Sequence, residues 1–207
     1  MEGLNSGRGH NFRETGRTFE FQMLGQIDVD DKRYKELLAR LSGSSQPGYL
    51  GRSQSIELAK ECQPGDPENP NKPFLNDLLI EVQDQFEVAG IEATVRAYTA
   101  VGTPLDHLHG VDAFITVTVD GREFVCTLDI TLNPDKQASG HKADLIVGEV
   151  ADPNVNNLQQ NKYLEQVEEI GRKIVTMLLK KVTTKQSQAE LRERLYGLNQ
   201  PEAGVDL

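Results

Sequence analysis

The segment "GVDAFITVTVDGREFVCTLDIT", residues 110–131, decides the fold because it predicts a β-hairpin with a defined register. Asp120 and Gly121 form a dipeptide that readily takes the positive φ angles of a two-residue hairpin turn. With the turn there, Val119 pairs with Arg122 and every further pair is fixed. One face of the hairpin is then an unbroken apolar ladder: Val117 with Phe124, Ile115 with Cys126, Ala113 with Leu128, and Val111 with Ile130.

The opposite face of the hairpin carries a pair of like charges. In this register Asp112 lies directly across from Asp129, and directly opposed side chains hold their Cβ atoms roughly 4.5–5.5 Å apart. A divalent cation shared by both carboxylates would offset the repulsion, and so would a shared proton that raises one pKa. Solvent exposure with the two side chains splayed apart is a third solution. A one-residue bulge at Gly121 would instead shift the register and separate the pair.

The overall charge limits the kinds of partner that the protein can attract. The chain of 207 residues has 32 acidic and 22 basic side chains, which give a formal net charge of -10. This charge argues against broad, sequence-independent attraction to phosphate backbones. Any contact with nucleic acid is therefore expected to be local or assisted by a metal ion.

The cysteines and the apolar runs indicate the compartment. Cys62 and Cys126 provide neither a disulfide framework nor the spacing of a metal site. The N-terminus has no apolar signal core, and no run approaches the roughly 18 apolar residues of a membrane span. We therefore expect a soluble, cytoplasmic protein without a membrane partner.

Composition divides the chain into three parts. Residues 1–72 are expected to form an N-terminal arm with one short helix and a linker rich in Pro, Gly and Ser. The first 30 residues are expected to be loosely ordered unless a protein partner or a neighbouring subunit holds them. Residues 73–184 form the compact core, and residues 185–207 are expected to hold a short helix and a tail.

The core has the element order of an α+β fold. Apolar residues recur at helical spacing in residues 73–90, and residues 91–101 alternate as a strand ahead of the hairpin. A further apolar run at 143–150 predicts another strand, and residues 161–182 predict a long helix. The order is helix, three-stranded meander, extra strand, helix. We therefore expect a mostly antiparallel four-stranded sheet flanked by helices.

These residues resemble the PD-(D/E)XK nuclease superfamily, which includes restriction endonucleases and Holliday-junction resolvases. The resemblance covers roughly residues 73–182 and implies a restriction endonuclease-like core. It rests on Gly110-Val111-Asp112 at the start of the second strand and on Asp129 late in the third. In that family the two acidic residues hold Mg²⁺, so the resemblance implies a hypothetical Mg²⁺ or Mn²⁺ site at Asp112 and Asp129.

The family pattern also includes a lysine two positions after the second acid, and this chain departs from it. Thr131 occupies that position and cannot act as a cationic activator of water. Some members carry a displaced lysine, and Lys136 and Lys142 are the candidates here. The family often adds a glutamate from the first helix to the metal site, for which the candidates are Glu81 and Glu87.

The loop before Asp112 offers further polar side chains for the same site. Asp106, His107 and His109 are candidates for a base or an additional ligand, although histidines in such loops are more often ordinary surface residues.

Three functions are compatible with these features. The first is a Mg²⁺-dependent phosphodiesterase acting on DNA or RNA, with Asp112, Asp129 and either Lys142 or Lys136 in catalytic roles. The second is a catalytically inactive relative that serves as a binding or assembly subunit through its N-terminal arm. The third is an α+β scaffold whose aspartates point into water. The missing lysine favours the second function, whereas the preserved acidic pair favours the first.

Overall fold

The computed structural model describes residues 16–42, 49–133 and 142–182. These residues form six helices and one four-stranded sheet, so the α+β prediction is confirmed. In chain order the elements are α1 Gly16–Leu24, α2 Lys32–Ser42, α3 Arg52–Glu61, α4 Pro73–Val88, β1 Thr94–Thr99, α5 Pro104–His109, β2 Ala113–Val119, β3 Arg122–Ile130, β4 Leu145–Val147 and α6 Asn157–Val182.

The sheet is mixed, with the strands in the order β1-β2-β3-β4. The first three strands form the predicted antiparallel meander. The extra strand β4 pairs with β3 in parallel, with Asp129 opposite Ile146. The sheet is therefore mixed rather than all antiparallel.

The hairpin of β2 and β3 has the register that the turn predicts. Val119 pairs with Arg122, and Ala113 pairs with Leu128 at the far end of the ladder. Asp120 and Gly121 have φ angles of 50° and 71°. Two successive positive φ values define the type I′ turn, whose twist matches that of the strands.

Helices cover both faces of the sheet. On one face, Ile115, Val117 and Leu128 pack in a core with buried side chains of α4 and α6. On the other face, the Tyr98 and Phe114 rings stack with their centroids 4.9 Å apart, in a second core that includes residues of α2, α3 and α5. The sheet is thus the middle of three layers, and its strand ends are the places where polar groups of β2 and β3 can meet a ligand.

The N-terminal part of the chain is more ordered than we expected. Helix α1 contacts α4 and buries Phe19 and Leu24 in the first core. Ile27, which follows it, is buried in the second core and donates its N–H to Val101 O at 3.2 Å. Within 16–72 the described residues therefore belong to the packed body. The expected C-terminal helix and tail, residues 185–207, lie outside the described residues.

The longest helix is α6, with 26 residues. It buries one face, which includes Tyr163 and Ile174, and exposes charged residues such as Lys173 on the other. In the part of the chain that the structure describes, no helix combines the length and apolar character needed to cross a bilayer.

Candidate functional site

Asp112 lies immediately before β2, at a point where the hairpin ladder becomes irregular. Its carbonyl accepts a hydrogen bond from Ala100 N at 2.7 Å, and its N–H donates to Leu128 O at 2.8 Å. Leu128 is already paired with Ala113, so two residues of one strand face one residue of the other, as at a β-bulge. The prediction that Asp112 stands directly across from Asp129 is therefore wrong in detail, because the regular register ends one residue earlier.

The two aspartates nevertheless come together. Oδ2 of Asp112 accepts a hydrogen bond of 2.7 Å from the N–H of Ile130, the residue after Asp129. The exposed fraction is 5% for Asp112 and 3% for Asp129. Because both residues are buried, the alternative of splayed carboxylates in open solvent does not describe this pair.

The surroundings of Asp112 raise its pKa from the usual 3.8 to about 8. Burial is the main cause, and the neighbouring acidic groups of Glu20, Asp129 and Asp106 add to it. The hydrogen bond from Ile130 N–H opposes the rise but does not cancel it. A pKa of about 8 favours a proton on Asp112 at neutral pH, and a proton is one of the three solutions that the sequence suggested for the acidic pair.

Glu20 is the acidic neighbour that the sequence interpretation missed. It lies on α1 beside the buried Phe19 and is itself half-buried. The short apolar run around it, "TFEFQML", was the available signal, because a helix that buries Phe19 and Leu24 carries Glu20 towards the sheet. Glu20 thus takes the place near the acids that we had given to a glutamate of α4.

Glu81, the predicted metal ligand on α4, lies elsewhere. Its side chain lies against Gly171 of α6, where an added Cβ would overlap it, and its Oε1 accepts a hydrogen bond of 2.6 Å from Gln85. Glu87, the other candidate, is exposed near the end of α4. The assignment of Glu81 to the metal site fails because the side chain lies against α6. Hydrophobic periodicity shows which residues flank the apolar face of a helix, but it does not show which element they contact.

Of the two predicted lysines, the structure describes Lys142 alone, and its ammonium contacts α5. Nζ of Lys142 donates to Leu108 O at 2.8 Å, on the last turn of α5. Lys136 lies outside the described residues. Thr131, at the position of the family lysine, is buried, and its Oγ1 accepts a hydrogen bond from Asn133 N at 3.1 Å.

Of the loop residues before Asp112, the structure places Asp106 near it, close enough to raise its pKa. Oδ2 of Asp106 accepts a hydrogen bond from Gly102 N at 2.9 Å and lies 3.6 Å from Nδ1 of His107. Nε2 of His109 lies 2.9 Å from Leu50 O. His109 therefore serves the packing between α5 and the segment before α3.

The carboxylate oxygens of Asp112 and Asp129 suit a hard cation, although two carboxylates do not form a complete set of metal ligands. Within residues 16–42, 49–133 and 142–182, no group of three or more His, Cys, Asp or Glu side chains is arranged to hold a metal ion. Two carboxylates are sufficient for a cation such as Mg²⁺, which keeps several water ligands. The predicted pair of Asp112 and Asp129 therefore fits such an ion, but the predicted set with Glu81 does not assemble.

A cavity of about 760 Å³ is lined in part by residues that are close in sequence to the acidic group. Phe19 and Met23, which flank Glu20 on α1, line one side, and Leu132, three residues after Asp129, lines another. The segment after β4 and the first turns of α6 complete the wall. The acids do not themselves line this cavity, and its links to them are the neighbours of Glu20 on α1 and Leu132 after Asp129.

Comparison of the chain with protein-family models finds no match. Searches against curated proteins and against solved structures also find no significant match. The functional argument therefore depends on the residues and their geometry.

Proposed function

We propose that this protein is a nuclease-like phosphodiesterase that depends on Mg²⁺ or Mn²⁺ and cleaves DNA or RNA. The observation that carries the proposal is the burial of Asp112 and Asp129 together where β2 begins and β3 ends. Buried groups with strongly shifted pKa values concentrate at functional sites. The order of α4, the meander, β4 and α6 is compatible with a restriction endonuclease-like core, which belongs to the proposal.

A bound cation would supply the chemistry that the side chains lack. It would polarise a phosphoryl oxygen and lower the pKa of a bound water molecule. The chain contributes the carboxylate oxygens of Asp112 and Asp129, and the Ile130 N–H fixes the Asp112 carboxylate. We assign Glu20, rather than Glu81, as the acidic residue of a helix that assists this pair.

The site is expected to turn over slowly. Thr131 replaces the lysine of the family pattern, and Lys142 is engaged with α5. An ammonium that orients water or stabilises developing charge contributes substantially to catalysis. Lys136 remains the candidate for this role in the proposal.

The test is a cleavage assay with single-stranded, duplex and branched DNA and with RNA, in Mg²⁺, in Mn²⁺ and in a chelator. We expect metal-dependent cleavage that Asp112→Asn and Asp129→Asn each lower by roughly 100-fold or more. Asp84→Asn is the matched control, because it removes the same charge from an exposed position of α4. Cleavage that survives Asp112→Asn unchanged would contradict the proposal.

A second candidate is a catalytically inactive nuclease-fold protein that acts as a binding or assembly subunit. Two observations favour it: Thr131 stands at the lysine position, and the aspartates are almost inaccessible in this conformation. Its partner or second copy would contact the N-terminal arm, of which α1 is packed on α4 and residues 1–15 lie outside the described residues. Metal binding by Asp112 without cleavage of any substrate would favour this candidate over the first.

A further inference from the structure

The wall of the cavity that Phe19 and Leu132 line combines apolar and polar side chains. Apolar side chains of Met23 and Leu132 are half-buried there, and Val155 is 64% exposed. Exposed apolar groups around a concave site often mark a ligand site. At about 760 Å³, the cavity falls within the roughly 300–1,000 Å³ of small-molecule and cofactor sites.

Hydrogen bonds hold the walls of the cavity in place. Tyr163 of α6 donates its hydroxyl to Asp77 of α4 at 2.5 Å. Gln166 accepts a hydrogen bond from Ala151 N at 2.8 Å and donates one to Glu149 O at 3.0 Å. The segment after β4 is thus held to α6, so the cavity is formed before a ligand arrives.

The polar groups of the lining are those that recognise a nucleobase and one phosphate. Gln22 and Gln159 carry amides, which can pair with a base edge through one donor and one acceptor. Lys162 is the cation among the described residues that line the cavity, and Glu149 and Asp152 carry negative charge. An acidic lining with one lysine suits a base and a single phosphate better than a run of phosphates.

We propose that the cavity binds an unpaired nucleotide of the strand whose phosphodiester reaches the Asp112 and Asp129 site, so that the substrate is single-stranded nucleic acid. This inference rests on the proposed nuclease function. The face and the hydrogen-bonding edge of a base reach such a wall only when the base has left its partner and its stack. The net charge of -10 is consistent with this, because it disfavours affinity that comes from tracking a duplex backbone.

The test measures binding without cleavage. Fluorescence anisotropy in a chelating buffer measures the affinity for a single-stranded DNA, a single-stranded RNA and the matching duplex. Each strand has about 12 nucleotides, a length within the usual site sizes of proteins that bind single strands. Lys162→Gln removes the cation of the cavity. Lys180→Gln is the matched control, because Lys180 is exposed near the other end of α6 and the two variants change the net charge equally.

We expect single strands to bind roughly tenfold more tightly than the duplex, and Lys162→Gln to weaken this binding about fivefold while Lys180→Gln leaves it within about twofold. The relative affinities of DNA and RNA then distinguish the two sources of the nucleotide. Equal binding of single strand and duplex would overturn the inference, and so would equal effects of the two lysine variants.

The inference and the proposed function can fail separately. Cleavage of duplex only, abolished by Asp112→Asn, would overturn the single-strand inference and leave the nuclease function in place. Binding of single strands that depends on Lys162, with no cleavage in any metal, would support the cavity assignment and count against the nuclease function.

Discussion

Asp112 and Asp144, two aspartates near β3, both lie where burial acts to raise the pKa, but the charged groups around them have opposite effects on their pKa values. Asp144 accepts hydrogen bonds from the N–H and the hydroxyl of Thr127, both at 2.9 Å, and from the ammonium of Lys181 at 2.9 Å and 3.0 Å. Burial alone would raise the pKa of Asp144, but these hydrogen bonds and the Lys181 charge lower it. Asp112 has one hydrogen bond from Ile130 N–H, and its charged neighbours are other acids, so its pKa rises to about 8.

Asp144 is a structural carboxylate that is paired with the ammonium of Lys181. The charged groups that act on Asp112 among the described residues are other acids. Asp144 ties β3, the start of β4 and α6 together with partners that the chain itself supplies. Asp112 is buried where the acidic groups of Glu20, Asp129 and Asp106 add to the rise in its pKa that burial causes. Burial and these acidic neighbours oppose the ionisation of Asp112, so the folded state is less stable at a pH where this carboxylate must lose its proton.

The largest expected effect is on the pH dependence of stability through Asp112. Its pKa of about 8 in the folded protein lies above its ordinary 3.8. The folded state therefore keeps a proton that the unfolded state releases, and stability falls as pH rises through this window and then levels off above it. Asp112→Asn removes the penalty, so we expect it to exceed the wild type by at least about 2 kcal/mol at pH 8, but not at pH 4.

Urea unfolding at a series of pH values, in a chelator, measures this difference. Asp84→Asn serves as the surface control and should follow the wild-type profile. If the gap between Asp112→Asn and the wild type stayed constant from pH 4 to pH 8, the raised pKa would be refuted.

The same substitution at the other aspartate should have the opposite sign. Asp144→Asn weakens the charged hydrogen bonds with Thr127 and Lys181, and we expect a loss of about 1.5 kcal/mol at pH 7. Because the pKa of Asp144 is lowered, its stabilising contribution is present above the ordinary value of 3.8 and disappears as pH falls below it. Urea unfolding at pH 7 and at pH 3 measures the stability that Asp144→Asn loses at each pH. An Asp144→Asn variant more stable than the wild type at pH 7 would contradict the difference between Asp144 and Asp112.

The smallest expected effect concerns the lysine partner. The Lys181 side chain is 40% exposed and also donates to Val125 O at 2.7 Å, so Lys181→Gln should cost about 0.5–1 kcal/mol at pH 7. Lys173→Gln breaks a fully surface ion pair with Glu169 on the same helix and should cost less. Thermal melts of both variants in low and high salt rank the two losses of stability. A larger loss for Lys173→Gln than for Lys181→Gln would show that the contacts of Lys181 with Asp144 add little stability.

Local chemistry made the hairpin predictable. Asp120 and Gly121 fix a two-residue turn, and the alternating apolar residues predict the register that the structure has from the pair of Val119 and Arg122 to the pair of Ala113 and Leu128. The predicted pair of Val111 with Ile130 is wrong, because the ladder becomes irregular at Asp112 and Val111 packs in the second core. The direction of β4 was not predictable, because it depends on how the chain returns to the sheet and not on the pattern of residues 143–150.

The candidate site was predictable only in part. The sequence brought Asp112 and Asp129 to one end of one hairpin, but the bulge at Asp112 and the burial of both arise from packing with distant segments. Glu20 and Glu81 both lie on amphipathic helices ahead of the sheet, and only the tertiary arrangement selects Glu20. The sequence alone could not show that Asp144 is a structural carboxylate and Asp112 is not, because the partners of Asp144 lie on the distant elements β3 and α6.

We propose that the buried pair of Asp112 and Asp129 binds a divalent cation. Isothermal titration of Mn²⁺ at pH 7, in two buffers with different ionisation enthalpies, measures binding and proton release together. Because the pKa of Asp112 is about 8, we predict binding with release of about one proton, and loss of both in Asp112→Asn. Mn²⁺ binding without proton release, binding that Asp112→Asn retains, or no binding at all would contradict the claim.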